Sequence, residues 1–150
     1  MMRLTRKLMF AIEAVVDIAY NSGVNPVQSK DIAERQGIPR RYLEQVLQQL
    51  VRADILRGVR GPRGGYRLAR ERRRISLGEI VRIVAGMDGE DSEDDDTSSD
   101  LGRVVLQPLW QEMEEEALVR LDSVSIETLC RTAREAGIDS RSKKSIDFTI

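Results

Sequence analysis

Arginine and glycine crowd one short stretch of this chain, Val59-Arg60-Gly61-Pro62-Arg63-Gly64-Gly65-Tyr66-Arg67-Leu68. A guanidinium presents a fixed fork of N–H donors that matches phosphate oxygens, and glycines let a backbone turn sharply and approach a polyanion closely. Arg60 and Arg63 are therefore candidates for phosphate contact or for insertion into a minor groove, with Pro62 in the turn and Tyr66 at its base. A second set of polar residues lies upstream: Arg40, Arg41, Tyr42, Glu44, Gln45 and Gln48. In a major groove Arg can bond guanine, Gln can bond adenine, and Glu can accept from the exocyclic amine of cytosine. Glu44 has two readings, since phosphates repel a carboxylate: it reads a cytosine, or it pairs with Arg40 or Arg41 on a helix surface. Near the start, Arg3, Thr5, Arg6 and Lys7 have the chemistry to reach phosphates, as does Ser29 further along.

Local patterns say which elements must position these groups. Leu8, Ala11, Ile12, Val15 and Ala19 recur at helical spacing and predict a first helix over Leu4 to Tyr20, closed by Asn21-Ser22-Gly23. Ser29 is placed as an N-cap, with Asp31 in the first turn, for a short helix of Lys30 to Gln36. Gly37 suits the left-handed residue after it, and Pro39 suits the first turn of the next helix, which runs to about Arg52. Tyr42, Leu43, Val46, Leu47 and Leu50 are expected on its core face. A short helix, a tight turn and a longer helix match a helix–turn–helix. A hairpin follows at once, with strands of Ile55 to Val59 and Gly65 to Ala69. The expected architecture is mainly α: a winged helix–turn–helix with a small β-hairpin wing. Ser76-Leu77-Gly78-Glu79 is a capping box that opens a helix to about Ala85. Arg70, Arg72, Arg73 and Arg74 either extend the basic face or form a solvated loop.

Charge divides along the chain. The net charge is −1, yet residues 1–88 carry 17 Lys+Arg and 9 Asp+Glu, a net of +8, and residues 89–150 carry 7 and 16, a net of −9. A basic front half points to a polyanionic partner. Hydrophobic residues are 41% and aromatics 4%, which favours aliphatic helix packing over a β-sandwich. No apolar run approaches the roughly 20 residues that span a bilayer. Glu13 and Asp17 follow the basic start with no small-residue cleavage site, so no signal peptide is expected. With one cysteine and no histidine, a disulfide within the chain is excluded, and a cytoplasmic location is expected. No nucleophile–base pairing, phosphate loop or zinc spacing supports an enzyme.

The back half suggests assembly. Glu90 to Asp100 is an acidic, Ser-rich run that lacks the glycine and spacing of a calcium loop and reads as a mobile linker. Beyond it, Val105, Leu109, Met113, Ala117 and Leu121 fall at i+4 steps, beside Leu101, Trp110 and Leu118, in a long helix over Leu101 to Leu121. Pro108 should kink it or mark a fresh start. Little chain remains to cover that face, so Val105, Leu109, Trp110, Met113, Ala117 and Leu121 are expected to form a homodimer interface; packing within the monomer is the alternative. Ser125 should cap a last helix to about Ala136, with Ile126, Leu129, Cys130 and Ala133 on one face. Cys130 is then a small core hydrophobe, or a redox sensor if exposed across a dimer. The expected organisation is a winged domain over 1–86, an acidic loop over 87–100, dimerisation helices over 101–136 and a disordered tail over 137–150.

These segments together resemble the Rrf2 family of bacterial transcription factors. The matching stretches are Met2-Arg3-Leu4-Thr5, Pro26-Val27, Ile32-Ala33-Glu34-Arg35-Gln36-Gly37-Ile38, Tyr42-Leu43-Glu44-Gln45, Val59-Arg60-Gly61-Pro62, Gly64-Gly65-Tyr66 and Leu109-Trp110. The resemblance covers about residues 2 to 132. It implies a winged-helix dimer joined by a long crossing helix and bound to a partly palindromic operator in double-stranded DNA. It also implies that Glu44 discriminates at a cytosine and that Arg60 enters the minor groove. Cluster-binding members carry three cysteines between the fourth helix and the long helix. Here Met87 to Leu101 contains none, so no iron–sulfur cluster, metal or other cofactor is expected. The expectation is a cluster-free homodimeric regulator, a repressor in sign, with sulfur or cysteine metabolism as its field. Its signal would be a small molecule, a thiol oxidation or a partner enzyme. The competing expectation is an adaptor whose winged helix and acidic loop bind a protein.

Overall fold

The computed structural model describes residues 4–87 and 99–140. Helix α1 spans Arg6–Asn21. It starts two residues later than the apolar stripe suggests, because the Thr5 hydroxyl caps it and accepts from the Leu8 amide at 3.1 Å. Leu8, Ala11, Ala14, Val15 and Ile18 are buried along it, making α1 the central rod of the core. Helix α2 spans Ser29–Gln36. Ser29 is its first residue and not its cap: Gln28 holds the cap position, and its carbonyl accepts from the Asp31 and Ile32 amides. Gly37 closes α2 at φ 65°, the left-handed conformation expected there.

Helix α3, Arg40–Arg52, follows Pro39 at the cap position. Leu43, Val46, Leu47 and Leu50 are buried beneath it, whereas Tyr42, expected on the core face, is 56% exposed. At 3.6 residues per turn Tyr42 falls beside, not within, the stripe that these four residues define. Strands β1 (Leu56–Val59) and β2 (Gly65–Leu68) pair antiparallel, each one residue shorter than expected at the end away from the turn. The register sets Leu56 opposite Leu68, Arg57 opposite Arg67 and Gly58 opposite Tyr66. Val27 adds a bridge to Tyr66 through two backbone hydrogen bonds, 3.0 and 2.8 Å. A Cβ on Gly65 would lie 2.4 Å from the Val27 carbonyl oxygen, so that close approach requires glycine.

A 3-10 turn over Arg72–Arg74 leads to α4, Leu77–Met87. The capping box forms reciprocally: the Ser76 amide donates to Glu79 Oε2 at 3.0 Å and the Glu79 amide donates to Ser76 Oγ at 3.2 Å. The expected long helix is not uniform. Leu101–Leu106 is a π-helical turn and α5 proper runs over Gln107–Asp122. Pro108 has no N–H, and its ring clashes with a carbonyl four residues back; the wider turn before it relieves both problems. Helix α6, Ile126–Glu135, is capped by Ser125, whose Oγ accepts from the Thr128 amide at 3.1 Å. Ile126 and Cys130 complete the core against α1, and Leu118 and Leu121 of α5 pack onto its edge. A Cβ on Gly78 would lie 1.8 Å from Asp122 Oδ1, so glycine lets the end of α5 press against α4. Asp122 in turn accepts from both terminal nitrogens of Arg82. The linker expected at Glu90 to Asp100 falls mostly outside the described residues, as does the tail beyond residue 140. Of the tail expected over 137–150, residues 137–140 are described, and the Ile138 carbonyl accepts from the Tyr20 hydroxyl.

Candidate nucleic-acid interface

The buried stripe of α3 fixes what its other side presents. With Leu43, Val46, Leu47 and Leu50 inward, Arg40, Arg41, Tyr42, Glu44, Gln45 and Gln48 are all exposed. One helix thus offers two guanidiniums, two amides, a phenol and a carboxylate to whatever it meets. Arg40 Nε and Glu44 Oε1 stand 3.7 Å apart, with both side chains more than half exposed. An exposed i,i+4 pair contributes only about 0.3–0.5 kcal/mol, so it leaves both groups free to exchange partners.

The wing presents its tip in the same way. The Gly64 amide donates to the Gly61 carbonyl at 2.9 Å, with Gly61 at φ 112°, and this closes the turn that carries Arg60, Pro62 and Arg63. All three are exposed, and among the described residues neither arginine has a hydrogen bond or ion pair. Tyr66 is different. It is half-buried and packs against the core, so its ring supports the root of the wing. Thr5 spends its hydroxyl on the α1 cap, which leaves the first turn of α1 facing outward with Arg6 exposed. Ser29 is half-buried in the first turn of α2, and Arg3 lies outside the described residues. The arginines after the wing divide: Arg70 bonds Glu79 at 3.1 Å and Arg72 pairs with Glu127, while Arg73 and Arg74 are exposed.

One positioning group escaped the sequence reading. Asp17 lies on α1 among apolar residues and its side chain is fully buried. It accepts from Arg35 Nε at 2.9 Å, Arg35 Nη2 at 2.8 Å and Gln36 Nε2 at 2.8 Å. This hydrogen bonding raises the Arg35 pKa further and keeps the guanidinium charged. Arg35 and Gln36 end α2 just before the Gly37 turn, so the network clamps the helix–turn–helix to the central helix. The available signal was a pair of polar residues, Asp17 and Asn21, four apart on an otherwise apolar helix; the Asn21 amide bonds the Asp17 carbonyl at 2.9 Å.

A helix–turn–helix whose second helix exposes base-reading side chains, followed by an arginine-tipped hairpin, defines the winged-helix class of DNA-binding proteins. Residues 4–132 match the model of the Rrf2 family, described as an iron-dependent transcriptional regulator, and the chain belongs to this family. It is 34% identical over 141 residues to the HTH-type transcriptional regulator IscR of Xenorhabdus nematophila, covering 93% of this chain and 86% of that one. Among solved structures it is similar to T. potens IscR, with TM-score 0.73, 33% identity and coverage of 91% of this chain and 92% of that one. It is also similar to CymR, the global cysteine regulator of B. subtilis, with TM-score 0.69, 26% identity and coverage of 88% and 98%. The chain is therefore a DNA-binding transcriptional regulator, and its relatives are regulators, not enzymes. No helix among the described residues is long and apolar enough to cross a membrane.

The family description raises iron, and the donors here do not fit it. The sequence has no histidine and one cysteine, Cys130, which is wholly buried in the core. Among the described residues no three His, Cys, Asp or Glu groups gather as a metal site. Burial pushes the Cys130 thiol pKa up, outweighing a lowering from Arg72. A protonated, enclosed thiol on one helix is a poor first ligand, and a cluster needs several thiolates.

Proposed function

We propose that the chain is a cytoplasmic, homodimeric, cluster-free repressor that binds a partly palindromic DNA operator. The observation that carries the DNA reading is the exposed polar face of α3 on the same body as the two exposed wing-tip arginines, Arg60 and Arg63. In this reading Arg40, Arg41, Tyr42, Gln45 and Gln48 meet the major groove and Glu44 selects a cytosine. Arg60 enters the minor groove, Arg63 meets the backbone, and Thr5 and the start of α1 approach phosphates. The dimer reading is supported by uncovered apolar surface: Val105 is 52%, Leu109 46%, Trp110 54% and Met113 53% exposed. Contiguous exposed apolar surface marks an interaction site. Ala117 and Leu121 are half-buried, and Leu121 packs on its own core, so the proposed interface centres on the first half of α5. Kinship with a cysteine regulator makes sulfur metabolism the field to search first.

The test is selection of bound DNA by the purified protein from a random pool, followed by a salt titration on the recovered site. A two-fold sequence is expected, with log affinity falling by about 0.9 per neutralised phosphate for each unit of log salt. The Arg60→Ala variant should lower that slope by about one contact. Failure to enrich any sequence, or a salt-independent complex, would refute the DNA reading and favour a protein partner. Sedimentation of Trp110→Glu should give monomers; an unchanged dimer would remove α5 from the interface.

A further inference from the structure

A second concentration of arginine lies at the root of the wing, apart from the surface just described. A cavity of about 730 Å³ opens between the end of α1, the two strands, the 3-10 turn and the start of α6. Arg57, Arg67, Arg70, Arg72 and Arg73 line it, together with Glu127. Its lining includes no residue of α3 and none of the wing tip. The volume is that of a small-molecule site, which runs to about 300–1,000 Å³.

Only part of this arginine charge is neutralised among the described residues. Arg72 is paired with Glu127, and Arg70 is tied to Glu79 and to the Arg74 carbonyl. Arg67 donates to the carbonyls of Gly23 and Val24, which fix its direction and leave its charge unopposed. Arg57 and Arg73 have no hydrogen bond or ion pair among the described residues, and both are exposed at the cavity's edge. Glu71, the other lining carboxylate, stands 4.0 Å from Arg74. Arg57 and Arg67 are moreover directly opposite each other across the β1–β2 pair. Like charges in that relation destabilise a sheet. Among the described residues, three guanidiniums from two strands and a helical turn, two of them on directly opposite positions of the strand pair, are therefore in no ion pair. Planar guanidinium forks suit bidentate binding of carboxylate or phosphate oxygens.

We propose that this cavity binds a small anion of two or more charges, a phosphate monoester or a dicarboxylate, between Arg57, Arg67 and Arg73. The anion bridges the wing strands to the 3-10 turn and relieves the Arg57–Arg67 repulsion. A duplex phosphate is the less suitable occupant, since the site is lined by α1, α6 and the wing root and not by the groove-reading elements.

The test is thermal unfolding and calorimetric titration of the full chain without DNA, using inorganic phosphate in one arm and succinate in the other. Ionic strength is held constant with sodium chloride. A saturable stabilisation is expected with at least one dianion and not with chloride; the arm with the lower midpoint identifies the ligand's chemistry. Arg57→Ala should raise the midpoint by about tenfold or more, and Arg57→Glu should abolish saturation. Both variants should keep the wild-type circular dichroism, because Arg57 is exposed. Arg60→Ala should bind the anion as wild type does. Absence of saturation with both dianions would overturn the proposal. So would saturation that survives Arg57→Glu, or that is lost in Arg60→Ala while Arg57→Ala keeps it.

Discussion

Removing the more exposed partner of the Asp17–Arg35 clamp should damage the protein more than removing the buried one. Asp17 is fully enclosed, whereas the Arg35 side chain is 31% exposed. In Asp17→Ala the donors released are Arg35 and Gln36, and both can turn to water. The loss is then that of charge-assisted hydrogen bonds with little stranded charge, about 1–3 kcal/mol. In Arg35→Ala the carboxylate stays buried with the single donor of Gln36, and breaking a buried ion pair from that side costs about 3–5 kcal/mol. Adding Asp17→Ala to Arg35→Ala should therefore recover stability, with a coupling of roughly 2 kcal/mol or more. The assay is urea unfolding at neutral pH and one fixed protein concentration, since self-association would otherwise shift the midpoint. With a slope of about 1–3 kcal/mol/M, the Arg35→Ala midpoint should fall by more than 1 M. Additive single effects, or a larger loss for Asp17→Ala, would refute the reasoning, because the cost would then come from packing and not from a stranded charge. Both variants should also weaken operator binding, since the clamp holds α2 against α1.

Four further outcomes follow from particular contacts. Glu44→Ala should relax discrimination at one base pair by roughly 1–3 kcal/mol in a selection assay, with unfolding changed by only a few tenths; unchanged preference would leave Glu44 as the surface partner of Arg40. Gly78→Ala should force Asp122 from its Arg82 pair and loosen the end of α5, seen as faster amide exchange in α5 ahead of global unfolding; wild-type protection there would mean that the helices separate freely. Hydrogen bonding to Arg82 lowers the Asp122 pKa below the ordinary carboxylate range. That pair's stabilisation is therefore present above the unfolded carboxylate pKa and lost as pH falls through the lowered value. Asp122→Asn should flatten the acid limb of a stability–pH profile, and an unaltered limb would show that the pair contributes nothing. Because burial raises the Cys130 pKa, alkylation should be slow in the folded protein at neutral pH and rapid in urea; fast labelling when folded would reinstate a redox role.

Much of the wing and of the recognition helix was readable because the signals are local. The Gly37 turn, the Ser76–Glu79 box and the Ser125 cap each join residues at most three or four apart, so sequence spacing alone implies the geometry. The errors were also local in cause. Ser29 has the chemistry of a cap, yet the chain enters α2 one residue earlier, at Gln28. Tyr42 has the chemistry of a core residue, yet four aliphatic neighbours already fill that face. Pro108 was expected to kink the long helix or mark a fresh start, and α5 proper does start at Gln107; only the π-helical form of the turn before it was not legible in the spacing.

Composition and spacing by themselves determined the class: a basic front with a helix–turn–helix and an arginine-tipped wing. Tertiary structure alone decided which charges are spent and which remain. Asp17 meets Arg35 across 18 positions, Arg82 meets Asp122 across 40, and Arg72 meets Glu127 across more, while Arg57 and Arg73 find no partner among the described residues. A charge interacts through space and not along the chain, so its partner depends on how helices and strands pack, a relation that no local pattern of residues encodes.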